Sequence, residues 1–175
     1  LISDILDLSK IEAGTFEFTS GDVDVNMLCE DIVRSSQIKV PQGVELVFDP
    51  HPSDCTVISD RNRLHQVISN FVNNALKFTP DGGSITLDYE IDEEDQCMLF
   101  SVTDTGAGIP EDKQELVFQR FEKLNEFVQG TGLGLAICKL TIQRMGGDIW
   151  IDKNYKNGAR FVFSHPIKKR ESEEK

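Results

Sequence analysis

The chain lacks the features that would tie it to a bilayer, a disulfide framework or a nucleic acid. No apolar run approaches the ~18 residues of a membrane-spanning helix, and no secretory leader opens the sequence. The four cysteines, Cys29, Cys55, Cys97 and Cys138, are scattered, with no CxxC pair and no Cys/His cluster. That pattern excludes a zinc knuckle and predicts reduced thiols in a cytoplasmic setting, with Cys97 and Cys138 as small core residues. Positive charge is scarce: 18 Lys and Arg face 30 Asp and Glu, for a net charge of −12. Nucleic acids and anionic membranes both need a basic footprint, so neither is an expected partner. Any phosphate-bearing ligand must be held locally, by glycine amides, a metal ion and a few cations. Internal repeats are absent. The first residue, Leu1, already lies inside an amphipathic pattern, so the chain is read as part of something longer.

At 175 residues there is room for one sizeable domain and an appendage. Leu1 to Gly14 is amphipathic, with Leu1, Ile5, Leu8, Ile11 and Ile2 on one side and Gly14 as a C-cap. Thr15 to Phe18 is read as a short strand, and Val25 to Ile38 as a helix entered past Asp24 or Asn26. Val44 to Phe48 and Cys55 to Ile58 read as strands. Ile85, Leu87, Tyr89 and Ile91 alternate strictly, as do Met98, Phe100 and Val102, and the acidic EIDEEDQ segment joins them as a hairpin tip. Pro110 to Phe121 and Gly132 to Met145 are predicted helices, the second burying Leu135, Cys138, Ile142 and Met145. Gly147 to Asp152 and Arg160 to His165 form a last pair of strands. Residues 168–175, KKRESEEK, make a charged tail predicted to be disordered. The sum is an α+β two-layer sandwich, with helices on one face of a mixed, mostly antiparallel sheet.

One helix, Asp60 to Thr79, stands out. Leu64, Val67, Ile68, Phe71, Val72, Ala75 and Leu76 fall on one face at helical spacing, while Asn70, Asn74 and Lys77 form a separate polar stripe extended by Arg63 and Gln66. Two amides and an ammonium in line suit an oxygen-bound metal beside a phosphate. By itself such a stripe is more often a solvated face. Two glycine-rich segments change its meaning. DTGAGI, Asp104 to Ile109, ends a strand with its carboxylate on the core face, which is costly unless donors are aimed at it. Backbone amides of the following turn are one source, and an exocyclic amine such as that of adenine is another. GTGLGL, Gly130 to Leu135, opens a helix whose N-terminal amides suit an anion. No Lys-Ser/Thr follows it, so it is not a Walker A loop, and HRD and DFG kinase signatures are missing.

Together these segments resemble the catalytic, ATP-binding domain of sensor histidine kinases, within the superfamily that includes gyrase, Hsp90 and MutL. The resemblance covers Leu1 to about Ile167, with a Bergerat-type fold implied. Asp60 to Thr79 is similar to the family's N box, DTGAGI to its first glycine box, Val117 to Phe121 to its F box and GTGLGL to its second glycine box. Leu1 to Gly14 resembles the end of the dimerisation and histidine-phosphotransfer hairpin, residues 15–167 the catalytic domain.

The resemblance implies Mg²⁺ held by Asn74 with help from Asn70, Lys77 at the phosphates and Phe78 against the nucleotide. It implies an adenine pocket of Asp104, Gly106, Gly108 and Ile109. Phe118 and Phe121 would anchor a lid over Glu122 to Gln129, with Arg120 and Lys123 near phosphate. Gly130, Thr131, Gly132, Leu133, Gly134 and Leu135 would line the triphosphate. Gyrase-like relatives carry a general-base glutamate four residues before the metal asparagine; here that position is Asn70, which takes up no proton. That favours phosphoryl transfer to a histidine over hydrolysis. None of His51, His65 and His165 stands in a phosphoacceptor context. The expected partners are therefore the protein's own hairpin and a receiver domain, in a bacterial sensor that is membrane-anchored through its remainder and a homodimer when intact. The alternatives are a hydrolysing ATPase module and a degenerate interaction scaffold. Ala159-Arg160, where relatives carry small hydroxyl residues, is read as a sheet-edge variation.

Overall fold

In the computed structural model, residues 2–52, 55–119 and 134–167 are described. The fold is built around the helix that the hydrophobic stripe predicts, α3 (Arg61–Phe78). Asp60 starts it: one carboxylate oxygen accepts from Arg63 N at 3.1 Å and the other from Thr19 N at 2.8 Å, so one side chain caps the helix and ties down the preceding chain. Leu64, Val67, Ile68, Phe71, Val72 and Ala75 are buried on its inner face. Phe71 alone packs against two rings of the sheet, with centroids 5.4 Å from Phe161 and 6.1 Å from Phe163. A fully buried aromatic of this kind contributes about 1.5–3 kcal/mol through the water it sheds.

The sheet under α3 has five strands: β2 (Glu45–Phe48), β4 (Ser84–Asp92), β5 (Cys97–Asp104), β6 (Ile149–Ile151) and β7 (Arg160–Pro166). Their spatial order is β2-β4-β5-β7-β6, with β2 parallel to β4 and every other pair antiparallel. Period-two alternation decides the faces: Ile85, Leu87 and Tyr89 of β4, and Met98, Phe100, Val102 and Asp104 of β5, point to the helices. α2 (Val25–Ser36), capped by Asp24, and α4 (Gly134–Arg144) lie beside α3 on that face. A separate two-stranded ladder pairs β1 (Gly21–Asp24) with β3 (Thr56–Ser59). The N-terminal helix α1 (Ile2–Ala13) ends at Gly14, φ +72°. It packs on α4 through a small cluster of its own, made of Leu8, Ile11, Phe16 and Ile137.

Several expectations are corrected. Thr15 to Phe18 is not a strand; Phe16 turns inward onto the α1–α4 cluster and the strand begins at Gly21. Of the helix expected from Pro110 to Phe121, the described residues 110–119 carry only two 3₁₀ turns, Glu111–Lys113 and Leu116–Phe118. Val117 and Phe118, in the second of these turns, are both buried. α4 is buried on two sides: Cys138 and Ile142 face the main core, while Ile137 faces α1. Leu135 and Met145 are consequently only partly buried. Cys97 is only partly buried, whereas Cys29 is fully so. The tail at 168–175 lies outside the described residues.

Candidate functional site

Asp104 is the last residue of β5 and is 2% exposed. Its Oδ1 accepts hydrogen bonds from Gly106 N at 2.9 Å and Ala159 N at 3.2 Å. Both end on the same oxygen, and no described residue donates to Oδ2. Burial pushes the carboxyl above its ordinary value, and the two backbone donors pull it back. The backbone thus satisfies Oδ1 and leaves Oδ2 open to a further donor.

The glycines around it are required by close approach. A β-carbon on Gly106 would lie 2.3 Å from the carbonyl oxygen of Phe78, so the turn after β5 sits directly against the end of α3. Gly158 faces the other side, where a β-carbon would meet the Asp104 carbonyl oxygen at 2.0 Å, at a φ of +151°. Tyr155 O–H donates to that carbonyl at 3.2 Å, and Arg160 stacks on the Tyr155 ring at 4.5 Å while its Nε donates to Thr103 at 3.0 Å. The turn between β6 and β7 therefore packs directly against Asp104. The sheet-edge reading of Ala159-Arg160 is corrected: β7 lies between β5 and β6, and Ala159 is a direct hydrogen-bond partner of Asp104. Sequence reasoning missed Tyr155, Gly158 and Ala159; the only signal was an Asn-Gly turn feeding an alternating strand. Ile109 is partly buried against the core, and its carbonyl accepts from Gln114 Nε2 at 3.1 Å.

Further back along α3 from Phe78, Asn70 and Asn74 stand one turn apart on the same stripe, both half-buried. Asn70 Nδ2 donates to Cys138 Sγ of α4 at 3.4 Å, and its Oδ1 would lie 3.7 Å from a β-carbon placed on Gly134. The amide thus faces the first residue of α4, whose N-terminal N–H groups carry the positive end of the helix dipole. Asn74 bonds to no described side chain. Lys77 is exposed in the last turn. Phe78 is half-buried with its carbonyl against Gly106. From Asn70 to Phe78 is eight positions of continuous helix, or about 12 Å along the axis. Arg63 and Gln66 do not extend this site. Arg63 lies 3.9 Å over the Phe16 ring, and Gln66 donates to Asp7 at 3.3 Å, so the N-terminal end of the stripe holds α1 and the segment after it. Phe118 is buried edge-on to Phe161 at 6.1 Å, an anchor in the core. Arg120, Phe121, Lys123, the segment Glu122 to Gln129, and Gly130, Thr131, Gly132 and Leu133 lie outside the described residues.

Among the described residues no group of three or more His, Cys, Asp or Glu forms a metal cage. Amide oxygens on α3 are hard donors, and few in number, so they fit a cation that takes its other ligands from water and from phosphate, as Mg²⁺ does. The histidines are engaged elsewhere. His51 stacks on Tyr89 at 4.1 Å and pairs with Asp88 at 3.0 Å. Burial lowers the pKa of His65, which shares a hydrogen bond with Ser69 at 3.3 Å. His165 is buried 2.9 Å from Ser59 Oγ. Among the described residues no helix is long and apolar enough to cross a membrane.

Residues 59–169 match the family described as histidine kinase-, DNA gyrase B-, and HSP90-like ATPase. The sensor histidine kinase WalK of Bacillus subtilis (strain 168) is 33% identical over 178 aligned positions, covering 99% of this chain and 29% of WalK. The chain spans less than half the length of the curated relatives it matches first. Among solved structures, the catalytic domain of histidine kinase ThkA superposes with a TM-score of 0.75 at 33% identity, covering 86% of this chain and 96% of that one. Full-length ShkA in complex with AMPPNP superposes with a TM-score of 0.83 at 29% identity, covering 95% of this chain and 35% of that one. The sequence match and the shared fold agree, and the chain belongs to the histidine kinase-, DNA gyrase B- and HSP90-like ATPase family, as a relative of the catalytic domains of sensor histidine kinases.

Proposed function

We propose that this chain binds Mg·ATP and, within the intact protein, presents the γ-phosphoryl group to a histidine carried on its own dimerisation hairpin, for relay to an aspartate of a receiver domain. The observation that carries the reading is Asp104. Its Oδ1 is occupied by two backbone donors while no described residue donates to Oδ2, in a pocket that only glycine permits at residues 106 and 158. An exocyclic amine is the group that completes such a carboxylate, and adenine carries one. Further back along the same helix, Asn70, Asn74 and the start of α4 suit the anionic end of an elongated ligand.

In this reading Asn74 and Asn70 hold Mg²⁺, which when bound neutralises charge developing on the phosphates. Lys77 and the amides from Gly130 to Gly134 contact those phosphates, and Phe78, Gly106, Gly108 and Ile109 shape the purine pocket. Positioning and charge stabilisation are most of what phosphoryl transfer asks of a protein. Asn70 offers an amide where hydrolysing relatives would need a base, so the hydrolytic alternative is disfavoured. The separate α1–α4 cluster supports a division at residue 14, with α1 as the end of the hairpin and residues 15–167 as the catalytic unit. A cytoplasmic location fits the acidic composition and four cysteines that form no disulfide.

The test is calorimetric titration with a non-hydrolysable ATP analogue, with and without Mg²⁺. Binding strengthened by Mg²⁺ and lost in Asn74→Ala, with the fold retained, is the expected result. A folded protein with no nucleotide affinity would return the domain to the scaffold reading, and steady phosphate release by the chain alone would support the ATPase.

A further inference from the structure

Cys138 belongs to none of the glycine-rich or asparagine motifs, and its side chain is 1% exposed on the inner face of α4. A buried thiol of this kind ordinarily serves as a small apolar filler. Its contacts here are more specific. Sγ accepts a hydrogen bond from Asn70 Nδ2 at 3.4 Å and donates toward the carbonyl oxygen of Val67 at 4.0 Å. Val67 is one turn before Asn70 on α3, so a single sulfur joins the backbone of that helix to the amide it presents.

We infer that Cys138 is a positioning residue that fixes which end of the Asn70 amide faces the ligand. An asparagine amide has two nearly isosteric ends, a donor and an acceptor, and only the oxygen binds a cation. The carbonyl of Val67 accepts and cannot donate, so the thiol hydrogen is directed to it. The sulfur lone pair is then what Asn70 meets, and only the NH₂ end is matched to it. Oδ1 is left on the side of Gly134, where no described residue donates to it. The chain N–H···S–H···O=C therefore orients the oxygen before any metal arrives. A valine at this position, one heavy atom larger and without a hydrogen-bonding group, leaves the amide free to turn. The inference rests on the reading of Asn70 as a magnesium-side residue.

The experiment compares wild type, Cys138→Val and Cys138→Ser in two measurements. The first is the affinity for AMPPNP with and without Mg²⁺, by calorimetry. The second is the side-chain amide resonance of Asn70 in the nucleotide-free protein, by ¹H–¹⁵N NMR. Losing one hydrogen bond that orients a ligand predicts that Cys138→Val loses about threefold to tenfold of the magnesium enhancement. Its magnesium-free affinity stays unchanged, and the Asn70 NH₂ resonance moves to solvent-like values. Serine, which donates and accepts as the thiol does, restores both. Cys138→Ala replaces valine if the branched side chain prevents folding. A full magnesium enhancement in Cys138→Val, an equal loss of affinity with and without Mg²⁺, or no rescue by serine overturns the inference while the nucleotide reading stands. No magnesium enhancement in the wild type overturns the metal assignment itself, and this inference with it.

Discussion

Replacing Asp104 separates what the pocket needs in order to fold from what it needs in order to bind. Asp104→Asn keeps an oxygen where Oδ1 accepts from Gly106 and Ala159, and it removes the burden of a charge held at 2% exposure. The stability of the Asp104→Asn variant is therefore expected within about 1 kcal/mol of wild type, or above it, because burying a neutral amide costs less than burying a carboxylate. Asp104→Ala deletes the acceptor and leaves two backbone N–H groups unpaired, one of them on buried Ala159. At about 1–3 kcal/mol for each orphaned donor, that variant loses roughly 2–6 kcal/mol. Binding runs the other way. The asparagine sets an NH₂ where an amine ligand would donate, so the charged hydrogen bond is lost; at about 1.5–3 kcal/mol this weakens nucleotide roughly 10- to 150-fold. Urea midpoints and calorimetric titration of the two variants read both quantities. If Asp104→Asn binds nucleotide like wild type, Oδ2 does not meet the ligand. If it unfolds as readily as Asp104→Ala, the carboxylate serves the fold and the argument from the unfilled oxygen fails.

Three further outcomes follow from the same geometry. Asp104 has a raised pKa, so within the window between its unfolded and folded values the folded protein holds a proton that the unfolded chain has released. This group therefore favours folding at the acid end, and that contribution is lost as pH rises through the window, whereas nucleotide affinity falls as the carboxylate is protonated; a pH series of titrations that is flat in wild type and in Asp104→Asn alike would contradict it. Gly106→Ala places a β-carbon 2.3 Å from the Phe78 carbonyl oxygen, and overpacking of this kind costs about 1–3 kcal/mol, readable as a lower urea midpoint. Ile11→Ala removes a buried anchor of the α1–α4 cluster. Hydrogen exchange should show α1 losing protection while the sheet keeps its own, and a uniform loss across the domain would mean that α1 is not a separable unit.

Much of the site was legible because it depends on local chemistry. The stripe of Asn70, Asn74 and Lys77 follows from helical periodicity, and the core-facing Asp104 from the period of a strand. Asp24 and Asp60 cap the helices they precede, since capping is a contact within a few residues. The failures share another cause. Arg63 and Gln66 lie on the same stripe as Asn70, yet they hold Phe16 and Asp7, partners 47 and 59 positions away in sequence. The segment from Pro110 has apolar residues at plausible helical spacing, but its described part forms only two short 3₁₀ turns, Glu111–Lys113 and Leu116–Phe118. Ala159 looked peripheral because strand order across a sheet is not written in any one strand.

The sequence alone therefore determined the alternating strands β4 and β5, the amphipathic helix α3 with its Asp60 cap and the identity of the family, since each depends on spacing along the chain or on a run of residues read in order. Tertiary structure decided which partner each polar side chain took. It put β7 between β5 and β6, which brought Ala159 to Asp104, and it set α4 against α3, which gave the Asn70 amide a sulfur to bond. Those contacts join residues 55 and 68 positions apart. Sequence spacing carries no information about them, because they arise only when buried faces pack and each enclosed donor and acceptor must find a partner.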